Sequence, residues 1–387
     1  MFGATEHSSS GLERAKFSRA RLGDWLDARQ PLPGVVLSTP GAVAWLTGGI
    51  SAPVDRTAAT DLAWAIVTPR GAHLVTTEVE GPRILDEYDP AAHGFDEVVQ
   101  VPWWDASAFV TAAETITGAP AAELASDGHP AFGSDVSEEL VTLRLALSVP
   151  EQDAMRVLGR DAAAALQVGL RSWTPGERDL DVQARIGGEL EAAGADAPVL
   201  IVGGDDRVRR FRHPMASGAP MHEFVMAVVV ARRDGLHAAA TRFASAGPLD
   251  PELSGLRARA LRIDRDVLAT SRPGATYGEV LAVLDAGYVR EGHTRGWAAH
   301  YQGGPIGYAQ REFELAPCQT DDARYGQALA AGHAVAWNPS LPGGAKVEDT
   351  YLVTEHGLDR VTDADDWPSE RNDEVTPARP AVLDVAA

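Results

Sequence analysis

The sequence predicts an α/β (α+β) protein of two domains, and three observations carry that expectation. Its 387 residues exceed what a single compact core ordinarily holds. The first third alternates helix-like and strand-like runs. The remainder contains one arrangement, helix–Pro-Gly–helix–strands, twice over.

In the first third, a helical stretch over Leu12–Arg29 leads into the short apolar run Gly34–Ser38. Asp61–Thr68, the turn Pro69-Arg70-Gly71 and His73–Thr77 read as a hairpin. A helix around Glu80–Tyr88, a strand around Val98–Val101 and a helix around Ala106–Ile116 follow. These elements make an N-terminal domain of residues 11–147.

A second domain, 148–368, opens at Ser148-Val149-Pro150-Glu151, where Ser148 and Glu151 have capping-box spacing and Pro150 suits a first turn. Its first helix, Glu151–Arg171, stops at Thr174-Pro175-Gly176-Glu177, whose Thr174 and Glu177 form a second capping box for a helix over Arg178–Ala193. The same pattern returns about a hundred residues on. A helix near Leu253–Thr270 ends at Pro273-Gly274, and Thr276 with Glu279 caps the next, Val280–Glu291. Strands follow both pairs: Val199–Val202, Phe224–Ala231 and Gly235–Phe243 in one half, Ala334–Trp337 and Val347–Thr354 in the other. Asp234-Gly235 is a hairpin turn signal. Residues 1–10 and 369–387 are polar and read as loose ends.

Composition narrows the function class. Hydrophobic residues make up 45% of the chain, as in folded globular proteins. The single cysteine, Cys318, excludes an intrachain disulfide and fits a reducing compartment. The first residues lack a signal-peptide core and no apolar run reaches spanning length, so a cytoplasmic protein without membrane attachment is expected. A net charge of −21 repels phosphate backbones and argues against nucleic acid. Arg207, Arg209, Arg210 and Arg212, beside His213, are the local exception.

Several motifs together resemble the creatinase, aminopeptidase-P and prolidase family. They are Trp45-Leu46-Thr47-Gly48, His213-Pro214, Asp234-Gly235, Thr241-Arg242-Phe243, Gly303–Gly307, Asn338-Pro339 and Val347-Glu348-Asp349-Thr350. The resemblance spans nearly the whole chain. It implies a creatinase-like N-terminal domain followed by a duplicated pita-bread domain, and a homodimer acting on a small molecule.

Family peptidases hold two metal ions with two Asp, one His and two Glu. Counting back from Thr241-Arg242 puts the two Asp positions at Val228 and Ala239. The ligand His falls on Gly304, one Glu on Asn338, and only Glu348 survives. Val, Ala and Gly side chains carry no lone pair, so neither a metal nor another cofactor is expected.

Creatinase, a metal-free member of that family, hydrolyses a C–N bond with a histidine, and the resemblance implies that the same chemistry is open to this chain. Phe211-Arg212-His213-Pro214 occupies the place of that histidine's element. His213 is therefore the expected general acid/base, unless it merely braces the turn before Pro214. Glu348 either orients His213 or pairs with Arg242. Arg56 stands eight residues after Gly48, the spacing of creatinase's substrate arginine, and either forks onto a carboxylate or pairs with Asp55. Arg311 either meets an anionic substrate or pairs with Glu312. His300, Tyr301, Asn338 and Phe211 complete the expected substrate contacts. The alternative to a hydrolase or lyase is an inactive homologue that binds a peptide or protein.

Overall fold

The computed structural model describes residues 4–29, 31–50, 54–370 and 378–386. The chain divides into two compact units, Met1–Glu151 and Gln152–Ala387.

The first unit contains α1 (Ala4–Asp27), β1 (Val35–Leu37), α2 (Pro40–Thr47), β2 (Ala63–Thr68), β3 (Gly71–Thr77) and α3 (Gly81–Tyr88). It continues with β4 (Glu97–Val101), α4 (Ala108–Thr117), β5 (Ala125–Ser126), β6 (Ser134–Asp135) and α5 (Ser137–Arg144). Six strands form one sheet in the order β4-β3-β2-β1-β5-β6, antiparallel at β1/β2 and β2/β3 and parallel elsewhere. Trp64, Ile66 and Val75 from its centre pack with Ala112 and Ala113 of α4, giving this unit its own apolar core.

At the junction, α6 (Val149–Arg171) begins where Ser148 donates both its N–H and its Oγ–H to Glu151, each at 2.6 Å. The second unit then runs through α7 (Asp179–Ala192), β7 (Asp196–Gly204), α8 (Asp205–Arg210), β8 (Phe224–Arg233), β9 (Leu236–Ser245), α9 (Pro251–Thr270) and α10 (Tyr277–Arg290). It closes with β10 (Gly303–Pro305), β11 (Ala334–Trp337), β12 (Ser340–Leu341), β13 (Ala345–Lys346), β14 (Asp349–Thr354) and β15 (Gly357–Arg360). Three two-residue strands end it: β16 (Ser369–Glu370), β17 (Arg379–Pro380) and β18 (Leu383–Asp384).

Two four-stranded sheets, β18-β9-β8-β7 and β10-β11-β14-β15, carry the duplication. Hydrogen bonds join them where β9 meets β14. Thr241 N–H donates to the Glu348 carbonyl at 3.0 Å, and Thr350 exchanges bonds with Ala239 at 2.8 and 3.0 Å. The β8–β9 turn sets Asp234 at φ 51° and Gly235 at φ 80°, the left-handed pair that an Asp-Gly hairpin favours. In β10, a Cβ on Gly303 would stand 2.0 Å from the Ala336 carbonyl oxygen, so only glycine fits that edge.

Local expectations hold unevenly. Thr276 and Glu279 form a complete capping box at the start of α10. Thr174 and Glu177 do not cap α7, which starts at Asp179 behind an extended Arg178 with no side-chain cap. Glu177 is held by Arg185 instead, and its contact with the Thr174 N–H stretches to 3.4 Å. The C-terminal segment is not loose where it is described. Leu383 and Asp384 pair in parallel with Ala244 and Ser245, making β18 an edge of the first sheet.

Beneath the sheet junction lies a buried ion cluster. Asp349 meets Arg242 at 2.8 Å and Arg379 at 2.9 Å, Arg379 meets Asp264 at 3.0 Å, and Thr362 donates to Asp349 at 2.6 Å. Four charges with mutual partners and a hydroxyl donor form the arrangement that makes buried ions tolerable.

Candidate functional site

The site is built in the second unit from four pieces of chain. The segment after α8 supplies Arg212 and His213. The residues before β10 supply His300 and Tyr301, the Gly-rich loop after it supplies Arg311 and Glu314, and the ends of β11, β13 and β14 supply Asn338, Lys346 and Glu348.

Glu348 is the centre. Its Oε1 accepts from Asn338 Nδ2 at 3.0 Å and faces Arg311 Nη2 at 3.3 Å; its Oε2 accepts from Thr241 Oγ1 at 2.9 Å and faces Lys346 Nζ at 3.4 Å. Burial alone would raise the Glu348 carboxyl, but Lys346, Arg311 and the two neutral donors pull it down to about 2, so it is an anion at neutral pH. Asp349, the next residue, serves the ion cluster below. Successive positions of one strand face opposite ways, so one side serves the cavity and the other the scaffold. Arg242 therefore pairs with Asp349 rather than Glu348, and Arg311 with Glu348. Glu312 instead accepts from the N–H groups of Tyr308 and Ala309, bracing the Gly-rich loop.

Two cavity lobes meet at His213, His300, Tyr301 and Glu314. One, about 920 Å³, runs along an apolar wall of Val199, Ile201, Val228 and Val230 to a floor of Arg311, Asn338, Lys346 and Glu348. The other, about 690 Å³, is walled by Trp297, Ala298, Leu315 and Ala316 with Arg212 and Gln319. The His213 and His300 rings lie 5.1 Å apart at the junction. His213 is open to solvent. Partial burial and the Lys346 charge lower its pKa, against the opposing pull of Glu348. Burial and Lys346 push His300 down to about 3. Both rings are neutral imidazoles at pH 7.

The residues present do not fit a dinuclear metal centre. Three of the positions that the family resemblance assigns to ligands are Val228, Ala239 and Gly304, with no donor atom. The fourth, Asn338, spends its amide N–H on Glu348. The cation beside Glu348 Oε2 is the Lys346 ammonium. Among the described residues, no group of three or more His, Cys, Asp or Glu side chains is placed to hold a metal ion.

Of the residues singled out from sequence, His213, His300, Tyr301, Arg311, Asn338 and Glu348 all line the larger lobe. Phe211 lines neither lobe. It is 43% exposed, with Arg207 and Arg210 over its ring at 5.8 and 5.0 Å. Arg56 belongs to the first unit, on an exposed stretch where Asp55 accepts from Thr57. Sequence reasoning missed Lys346, although a lysine in the apolar run Ala345-Lys346-Val347, two residues before the retained glutamate, was a visible signal. No helix among the described residues is long and apolar enough to cross a membrane.

A family model described as metallopeptidase family M24 matches residues 153–355, more than half of the chain. No curated protein sequence matches it. The solved structures it resembles include a prolidase from Pyrococcus furiosus, 17% identical with a TM-score of 0.69, covering 89% of this chain and 99% of that one. Dipeptidase PepE from Mycobacterium ulcerans is 19% identical with a TM-score of 0.69, covering 94% and 97%. The N-terminal domain of the FACT complex subunit SPT16 from Cicer arietinum (chickpea) is 13% identical with a TM-score of 0.66, covering 92% and 96%. Likeness at these identities establishes the fold, which peptidases share with a subunit of a larger complex. With its duplicated sheet-and-helix unit, its retained Glu348 and its emptied ligand positions, the chain belongs to metallopeptidase family M24.

Proposed function

We propose that this protein is a metal-independent hydrolase that cleaves a C–N bond in a small carboxylated, amino-acid-like molecule, with His213 as general acid/base. One observation carries the reading: a neutral, solvent-reached imidazole stands where two cavity lobes meet, above a floor charged by Lys346, Arg311 and Glu348. His213 takes a proton from water while the water oxygen bonds to the carbonyl carbon. The floor cations stabilise the resulting oxyanion. The imidazolium then gives its proton to the nitrogen as the C–N bond breaks, leaving an acid and an amine. Among the described residues no protein group occupies the His213 ring nitrogens, so both remain available for this exchange.

The test is a turnover screen of carboxylated amides, ureas and guanidines with the wild type and His213→Ala. The expected result is hydrolysis by the wild type and a loss of about 10²–10⁴-fold in kcat for the variant, with folding intact. Full activity in His213→Ala removes the mechanism. Binding without turnover in either protein transfers the reading to an inactive homologue that serves as a binding module, a role compatible with the fold's occurrence in SPT16.

A further inference from the structure

Among the described residues, Arg212 meets no carboxylate. Among the described residues of the second unit, every other arginine that is not fully exposed has a carboxylate within ion-pair distance. Arg212 has none among the described residues, in a protein with 55 acidic residues against 34 basic ones. It is half-buried, and burial pulls its pKa below the ordinary value, with only Tyr288 opposing. Its Nη1 donates to the Leu341 carbonyl at 2.6 Å, which fixes the guanidinium, and no other protein acceptor among the described residues takes its remaining donors. The side chain lines the smaller lobe, one residue from His213. A half-buried cation whose remaining donors reach solvent in the lobe is placed to take its counter-ion from a ligand.

From these placements we propose that Arg212 anchors the carboxylate of the ligand in the smaller lobe, which fixes the substrate class as an N-acyl amino acid. The acyl group then lies along Val199, Ile201, Val228 and Val230 in the larger lobe, and the amide bond falls at the His213–His300 junction. A carboxylate suits the smaller lobe better than a phosphate. One guanidinium fork matches two carboxylate oxygens, whereas the lobe offers no second cation and includes Glu314, which would repel a dianion. The assignment rests on the hydrolase reading for the position of the scissile bond, and on Arg212 alone for the carboxylate.

Equilibrium binding of N-benzoylglycine and its neutral twin N-benzoylglycinamide tests it in the full chain. Wild type should prefer the acid by about tenfold to a hundredfold. Arg212→Met should erase that preference by weakening the acid and leaving the amide unchanged, and Arg212→Lys should keep part of it. Arg311→Met should retain the preference. Thermal melts of each variant show that the fold is kept. Should Arg212→Met keep the preference, should the preference vanish with Arg311→Met instead, or should neither compound bind to wild type, the assignment is overturned. Turnover is read separately. Arg212-dependent binding without hydrolysis supports the anchor and sinks the hydrolase. Hydrolysis with equal affinity for acid and amide does the reverse.

Discussion

Lys346 Nζ stands 3.4 Å from Glu348 Oε2, and both side chains are buried at the floor of the larger lobe. Lys346→Met leaves the Glu348 anion with Arg311, Asn338 and Thr241 but without its deepest cation. It should lower stability by about 3 kcal/mol, in the range found when a buried pair loses one member. Lys346→Met with Glu348→Met should recover most of that loss, because the desolvation cost disappears from both sides. Urea unfolding of the two single variants and the double variant decides it. Additive losses would mean that the pair is not coupled.

Metal content is the second expectation. With Val228, Ala239 and Gly304 at the assigned ligand positions, the purified protein should retain well under one equivalent of Mn, Co or Zn through dialysis. Its melting temperature should not move on adding EDTA or any of these ions. A retained equivalent, or an EDTA-sensitive melting temperature, would refute this.

Acid should destabilise the protein earlier than its carboxylates would. Burial pushes His237 and His333 each down to about 4 in the folded chain, against about 6.5 when unfolded. The unfolded state therefore binds more protons in this window. The stability these residues contribute is complete above pH 6.5 and is lost between pH 6.5 and 4, at up to about 3 kcal/mol per pH unit for the two together. Denaturation at pH 7, 6 and 5 measures the slope, and His333→Phe should flatten it.

Arg379 ties the C-terminal segment to the ion cluster through Asp264 and Asp349. Arg379→Met strands the buried Asp264 and leaves Asp349 with Arg242 and Thr362, and should cost about 3–5 kcal/mol. A loss below about 1 kcal/mol would show that solvent or Arg242 compensates.

We propose a homodimer in which Arg56 reaches a neighbour's cavity, and complementation tests it. Arg56→Ala and His213→Ala, each inactive alone, should regain activity when mixed and allowed to exchange subunits, if the two residues serve one site from two chains. Sedimentation showing a monomer at micromolar concentration ends the idea.

The parts of the fold with local causes were legible. Thr276 with Glu279 and Asp234-Gly235 each act within four residues, so spacing revealed them. The pairing of Leu383 with Ala244 depends on residues far apart in the chain, and a two-residue strand leaves no periodicity to read. Motif spacing likewise led to His213, Asn338 and Glu348. Phe211 stands two residues from His213, but its ring packs with Arg207 and Arg210 and lines neither lobe. Lys346 and Arg212 gain their meaning from what surrounds them, one from a carboxylate two residues away and the other from having none beside it among the described residues.

Gly304 has φ 145°, a backbone setting that side-chain-bearing residues rarely adopt. Regaining the ligand histidine there would require β10 to change its path as well as its residue. Valine and alanine at 228 and 239 would have to revert, and Lys346 would have to leave. A two-metal centre in this cavity would therefore demand changes of backbone path and of side chains at several separate places.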